Sequence, residues 1–243
     1  MKLSVFLSLT AVAVLIPVSS VFACDDDALG TSRVMTLKRE SALYGSKQHQ
    51  TLPLAKNEIV LTFDDGPSPD NSSLVLKALA EQCSRASFFM VGQQIEKHPA
   101  LAKQVADQGH SVALHSYSHQ HLVTMSIPEQ LTDLAKAKEA YTQIFGVNSP
   151  AYRFPFLQET PSLLAALKSE KMTVASIDLS IDDWLPTDNT EQLLQRLNNS
   201  LDNGSGGILL MHDAHPPTAK AMPELLKLIK RKGFKLVHLV WEE

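Results

Sequence analysis

Five short polar clusters interrupt the apolar stretches of this 243-residue chain: Asp64-Asp65, the run from His115 to His119, Arg153, Asp182-Asp183-Trp184, and His212-Asp213. His115 and His119 stand four apart in a polar loop, a spacing that suits two metal-binding imidazoles. A strand-end aspartate adds an oxygen. Two nitrogens, one oxygen and an open fourth position make a catalytic zinc arrangement, which brings the pKa of its water to about 7. Neighbouring carboxylates at the end of a strand can point different ways. One of Asp64 and Asp65 can therefore ligate while the other faces substrate, and spacing alone does not say which. His212 ends the apolar run 208–211. Its imidazole titrates near working pH, which suits a proton donor. Arg153 can orient a carboxylate, Asp183 can hold His212 in one tautomer, and Trp184 offers a stacking face for a sugar.

Each cluster also has a plain reading. Phe63-Asp64-Asp65-Gly66-Pro67 has the composition of a turn. The loop histidines can be spare, as His121 beside them suggests. His212 can be a core histidine bonded to a carbonyl, Arg153 and Asp183 surface charges, and Trp184 packing. His110 and His238 are expected to be structural. What favours chemistry is the shared placement of the clusters, each just beyond a β-rich run.

The runs at 59–63, 87–91, 111–114, 151–153, 173–177, 208–211 and 235–240 read as strands. Between them, helical patterns cover 74–81, 99–108, 128–145, 162–171, 190–201 and 218–232. Pro99 starts one helix and Gly109 ends it. Ser126 and Gly146 bracket another, and Gly233 stops the last. Alternation of this kind predicts a parallel α/β domain, whose strand ends open onto one face where sites are built. No glycine-rich phosphate loop follows the first strand, which argues against nucleotide binding. Residues 57–243 are short for an eight-unit barrel. The domain can be an open doubly wound sheet or a closed barrel, and a (β/α) barrel with fewer units, about seven parallel strands, or a distorted one fits the length better.

With 44% apolar residues, the chain can bury one sizeable core. Lys2, the apolar run 3–18, and Val21 and Ala23 at the −3 and −1 positions describe a secretory signal over residues 1–23. The run is too short for a comfortable membrane span, so the expected location is secreted or periplasmic, with no stable span after cleavage. Losing Lys2 changes the formal charge from −4 to −5. No basic stripe points to nucleic acid. Residues 24–56 show no sustained periodicity and read as a lead-in to a catalytic domain at 57–243. A monomer is the default. Cys24 and Cys83 are the only cysteines. Cys24 can pair with Cys83 in an oxidising compartment, carry a lipid anchor, or stay free with Cys83 buried. Phe22 ranks the lipid second, because small residues usually precede such a cysteine.

These residues resemble a known family. Thr62-Phe63-Asp64-Asp65-Gly66-Pro67 and His115-Ser116-Tyr117-Ser118-His119 are similar to the first two motifs of the NodB-homology polysaccharide deacetylases, carbohydrate esterase family 4. Arg153-Phe154-Pro155-Phe156, Asp183-Trp184 and Leu210-Met211-His212-Asp213 resemble the third, fourth and fifth, in order, across about residues 57–243. The resemblance implies a distorted barrel and a role for each position. Asp65, His115 and His119 would hold a divalent metal, zinc first, with cobalt or manganese as alternatives. Asp64 would be the base, tuned by Arg153. His212, held by Asp183, would protonate the leaving amine. The Phe156 N–H would help stabilise the oxyanion, and Trp184 and Leu210 would line the pocket. Leu157 stands where the family pattern usually has glycine, and Ser180 where it usually has an acid. Both departures bear on the groove and on substrate preference.

The implied partner is an N-acetylated glycan of the chitin-oligosaccharide or peptidoglycan type. The same apparatus can cleave O-acetyl esters. A 2-His-1-carboxylate iron oxygenase shares the ligand types but leaves Asp64, Arg153 and His212 without work. A glycan-binding protein without catalysis leaves base and acid unexplained.

Overall fold

Strand β3 (Glu58–Asp64) is buried along its whole length, as is β9 (Gly207–His212). Burial on both faces is the mark of a parallel strand covered on either side. The computed structural model describes residue 24 and residues 27–186, 189–202 and 206–242, so the expected signal segment 1–23 lies outside the described residues. In chain order the elements begin with β1 (Thr31–Leu37), β2 (Leu43–Tyr44), β3, α1 (Pro69–Glu81), β4 (Ser87–Met90), α2 (Gly92–Lys97), α3 (Pro99–Asp107) and β5 (Ser111–Leu114). Then follow α4 (Ile127–Phe145), β6 (Ala151–Tyr152), α5 (Pro161–Ser169), β7 (Thr173–Ala175), β8 (Leu179–Ser180), α6 (Thr190–Asp202), β9, α7 (Pro216–Arg231) and β10 (Lys235–Trp241).

Every strand pairing is parallel. The ladder runs β8–β9–β3–β4–β5–β6–β7, with β2 on the far side of β7. β10 pairs with the first residues of β3 and carries β1 on its other edge. Among the described residues no ladder joins β7 to β8. The fold is the distorted parallel α/β barrel, with a seam at that point.

Side chains alternate across each strand. Ile59, Leu61 and Phe63 of β3 join Leu209 and Met211 of β9 in the layer packed under the helices. Val60 and Ile208 face the other way, into an interior cluster with residues of β1 and β10. The same alternation points Thr62, Asp64, Leu210 and His212 inward. Phe89, Ala113, Ala151 and Ala175, from four successive strands, form a second interior cluster. Three alanines leave room there, and the Arg153 guanidinium fills it, 4.1 Å above the Phe89 ring.

All seven expected strands are present within two residues of their expected bounds. α1 begins at Pro69, five residues earlier than its apolar pattern. Pro at the first turn and Asp70 just behind it start the helix before the periodicity does. α2 has six residues and β8 two, too few to carry a period. Residues 24–56 contribute β1 and β2 to the sheet. In β1 only Met35 and Leu37 are buried, an alternation too brief to read. Cys24 is disulfide-bonded to Cys83, so that sulfur has no free valence for a lipid, and the lipid-anchored alternative falls. Among the described residues no helix is long and apolar enough to cross a membrane.

Candidate active site

A cavity of about 560 Å³ opens at the C-terminal ends of the strands. Asp64, Asp65, His115, His119, Phe156, Trp184, Leu210 and His212, all singled out from the sequence, line it together with Phe154, Leu157 and His215.

Asp64 closes β3 with its side chain inward and 2% of the residue exposed. The next residue turns sharply: Asp65 has φ 76°, and a cis Gly66–Pro67 bond follows. This turn brings the second carboxylate to the same cavity instead of the opposite face. Gly66 is required by contact: a Cβ there would sit 2.3 Å from an oxygen of Asp213. Asp213 is fully buried beneath the turn. Burial pushes its carboxyl up to about 7 against the Ser72 hydroxyl, which donates to Oδ2.

His115 Nε2 lies 3.5 Å from Asp65 Oδ1 and 3.6 Å from Asp64 Oδ2, and His119 Nε2 lies 3.0 Å from Asp65 Oδ1. The Nδ1–H of His115 donates to the Arg153 carbonyl at 2.8 Å, since a carbonyl can only accept. Nε2 is then left as a lone pair facing the carboxylates, the arrangement that outer partners impose on metal-binding histidines. Asp65 Oδ1 is buried and accepts no aligned hydrogen bond. For zinc bonds of about 2.1 Å, tetrahedral ligands stand about 3.4 Å apart, close to the Asp65–His115 and Asp65–His119 separations. An orphaned buried carboxylate oxygen converging with two imidazoles fits a divalent ion. Burial holds His115 below its ordinary pKa against the raising charges of Asp64 and Asp65. For His119, burial is outweighed by Asp65, and the pKa rises.

Arg153 follows β6 and is sealed inside the barrel. Nη1 donates to Asp64 Oδ1 at 2.7 Å and to Thr62 Oγ1 at 2.9 Å. Nε donates to the Ala175 carbonyl at 3.0 Å and Nη2 to that of Ser176 at 3.2 Å. The single guanidinium ties β3, β6 and β7 together across the interior.

On the other side of the cavity His212 Nδ1 donates to Asp183 Oδ1 at 2.7 Å. Asp183 Oδ2 accepts from the His212 N–H at 2.8 Å and from Thr218 Oγ1 at 2.6 Å. Burial alone would lower the His212 pKa. The hydrogen bond and charge of Asp183, aided by Asp64 and Asp65, outweigh it and hold His212 at about 9. Asp183, His212 and His215 also lie close enough together to invite a metal. His212 Nδ1 and Asp183 Oδ1 are instead bonded to each other, His215 Nδ1 meets the Asp183 carbonyl at 3.3 Å, and the His215 ring stacks on His212 at 4.8 Å.

Phe156 and Trp184 are the exposed aromatic walls, 50% and 49% accessible. Phe156 stacks on His121 at 3.9 Å, and Trp184 meets His212 edge-on at 5.8 Å. The two departures from the motif pattern separate here. Leu157 lines the cavity with φ 55°. The Ser180 hydroxyl bonds Asp182 at 2.8 Å, outside it. His110 accepts from the Ala86 N–H, and His238 contacts the Ser111 hydroxyl. Both are structural, and burial pulls their pKa values down to about 3 and about 4.

Sequence reasoning missed Gln48, whose Nε2 donates to the Leu157 carbonyl at 2.8 Å while its Oε1 accepts from Ser176 at 2.7 Å. The lead-in thus braces the wall of the site. It also missed His215, although a second histidine three residues after His212 was a visible signal.

Comparison with known proteins agrees with this geometry. The family model described as "Polysaccharide deacetylase" matches residues 52–175, just over half of the chain. The chain is 27% identical over 212 residues to the peptidoglycan-N-acetylmuramic acid deacetylase PdaC of Bacillus subtilis, covering 87% of this chain but 44% of that protein. It is 30% identical over 210 residues to the putative polysaccharide deacetylase YheN of Bacillus subtilis, covering 82% and 73%. The solved peptidoglycan deacetylase Bd3279 of Bdellovibrio bacteriovorus superposes with a TM-score of 0.80 at 26% identity, covering 90% of this chain and 61% of that one. Motif order, barrel and long alignments converge, and the protein belongs to the polysaccharide deacetylase family.

Proposed function

We propose that the protein is an extracytoplasmic, divalent-metal-dependent deacetylase that removes N-acetyl groups from an amino-sugar glycan of the peptidoglycan or chitin-oligosaccharide type. The observation that carries this reading is one cavity with an orphaned Asp65 oxygen facing two imidazoles on one side and a charged His212–Asp183 pair on the other. Asp65, His115 and His119 would hold the ion. When bound, zinc supplies Lewis acidity that makes water a nucleophile near neutral pH.

Asp64, with Oδ1 fixed by Arg153, has Oδ2 free to take the proton of the attacking water. The water oxygen bonds to the acetamide carbonyl carbon, and charge passes to the carbonyl oxygen. The Phe156 N–H donates to that oxyanion. His212 then gives its Nε2 proton to the departing nitrogen as the C–N bond breaks, leaving a free amine and acetic acid, which releases its proton to water as acetate. Asp183 keeps the resulting imidazole in register. Trp184 and Leu210 enclose the acetyl methyl and the sugar face. The disulfide and the peptidoglycan-directed names of the relatives support export.

Acetate release from peptidoglycan, chitin oligomers and acetylated xylan, with added zinc, tests this. Wild type should release acetate from the N-acetylated substrates and Asp64→Asn should not. Silence of the wild type across the whole panel would overturn the assignment, and release from xylan alone would make it an esterase.

A further inference from the structure

We infer that Asp133, on α4, is a positioning residue for the loop that carries His115 and His119. The inference rests on the metal-ligand reading above. Asp133 is 6% exposed and its carboxylate takes three donors from the tip of that loop. The Tyr117 N–H reaches Oδ1 at 2.8 Å, and the Ser118 N–H and hydroxyl reach Oδ2 at 3.1 and 2.5 Å. Both donating residues lie between the two histidines.

The loop needs an external hold. Ser116 and His119 sit at φ 60° and 51°, the left-handed region, at a cost of roughly 1–3 kcal/mol each that the surroundings must offset. On one side α2 supplies N–H groups: Gly92 donates to the Ser116 carbonyl at 2.9 Å and Gln93 to that of Tyr117 at 3.1 Å. The close approach requires glycine at 92, where a Cβ would meet the Tyr117 ring at 2.7 Å. Inside the loop the His119 N–H donates to Ser116 Oγ at 2.9 Å. On the other side, among the described residues, Asp133 alone receives the N–H groups of Tyr117 and Ser118. Carbonyls are held from α2 and amides from α4, so the two imidazoles keep their separation before any ion arrives.

Both carboxylate oxygens are needed as acceptors. In Asp133→Asn one of the two acceptor oxygens becomes an NH₂, so either the Tyr117 N–H or the two Ser118 donors are left unpaired. Outer partners of metal ligands typically affect affinity by 10- to 100-fold. Zinc affinity, measured by competition with a chromophoric chelator, should therefore fall about 10- to 100-fold in Asp133→Asn. The metal-free protein should unfold cooperatively with a midpoint lowered by the lost bonds, so the zinc affinity of the folded variant is the deciding readout. Ser118→Ala, which removes one of the three bonds, should lose less, and it carries the test if Asp133→Asn does not fold. Unchanged zinc affinity in the folded variant, whatever its metal-free midpoint, would overturn the role of Asp133. Absence of stoichiometric zinc in wild type would instead overturn the ligand assignment itself.

Discussion

Arg153 and Asp64 form an ion pair sealed from solvent, with side chains 0% and 3% exposed and Nη1 2.7 Å from Oδ1. Breaking a buried pair by removing one partner strands a charge and costs about 3–5 kcal/mol. Arg153→Ala should lower stability by that order in urea or thermal unfolding. Arg153→Lys should not restore it, because one ammonium cannot span Asp64, Ala175 and Ser176 together. A variant as stable as wild type would show that the pair is not what holds the barrel interior.

The two sides of the cavity should separate experimentally. His115→Ala is expected to lose bound metal and activity together. His212→Ala should retain metal and lose turnover by about 10²- to 10⁴-fold, the usual scale of general acid–base help. Metal content by mass spectrometry, set beside the acetate-release rate, distinguishes them. The opposite pattern would exchange the assigned roles.

In the proposed mechanism the His212 pKa sets the alkaline limit. Its value is raised to about 9, so the imidazole stays protonated at neutral pH and loses its proton as pH climbs through that value. Turnover that needs a protonated His212 should therefore fall on the alkaline side. A cation at Asp65 cancels part of the raising charge and brings that limb below 9. In Asp183→Asn the strongest raising partner is gone, and the limb should move to lower pH still. A pH–rate profile identical to wild type in that variant would refute the coupling.

Leu157 holds a left-handed conformation at the cavity wall, where the family pattern has glycine. A side chain there costs about 1 kcal/mol relative to glycine. Leu157→Gly should raise the thermal midpoint slightly and enlarge the groove, changing KM for longer oligomers more than kcat for short ones. A lowered midpoint would mean that the packing of Leu157 outweighs its strain.

The Cys24–Cys83 bond closes a loop of 59 residues, worth about 4 kcal/mol in the chain-entropy account. Cys83→Ser should lower the unfolding midpoint, and reduction should lower wild type to match while leaving the variant unmoved.

Much of the site was legible because parallel strands announce themselves as apolar runs, and a polar residue ending such a run has few places to go. Asp64, His115 and His212 were found this way. The division of labour between Asp64 and Asp65 came from the family resemblance, since it depends on the positive φ at Asp65, which no periodicity reports. Asp133 was invisible because a lone acid on an amphipathic helix looks like any solvated charge. Gln48 was missed because its bond to Leu157 spans 109 residues and leaves no local pattern.

The seam between β7 and β8 gives the two halves of the chemistry different footings. Asp178 stands where a ladder would be, accepting from the Ser46 N–H and the Ile208 N–H at 2.7 Å each. The ligand loop rests on the unbroken run of strands β3 to β6, whereas Asp183 lies just past this stitched edge. Under the proposed roles, an opening of this stitch would loosen the support of the proton donor and leave the socket proposed for the ion on its unbroken strands. Proton donation would then fail before ion binding does.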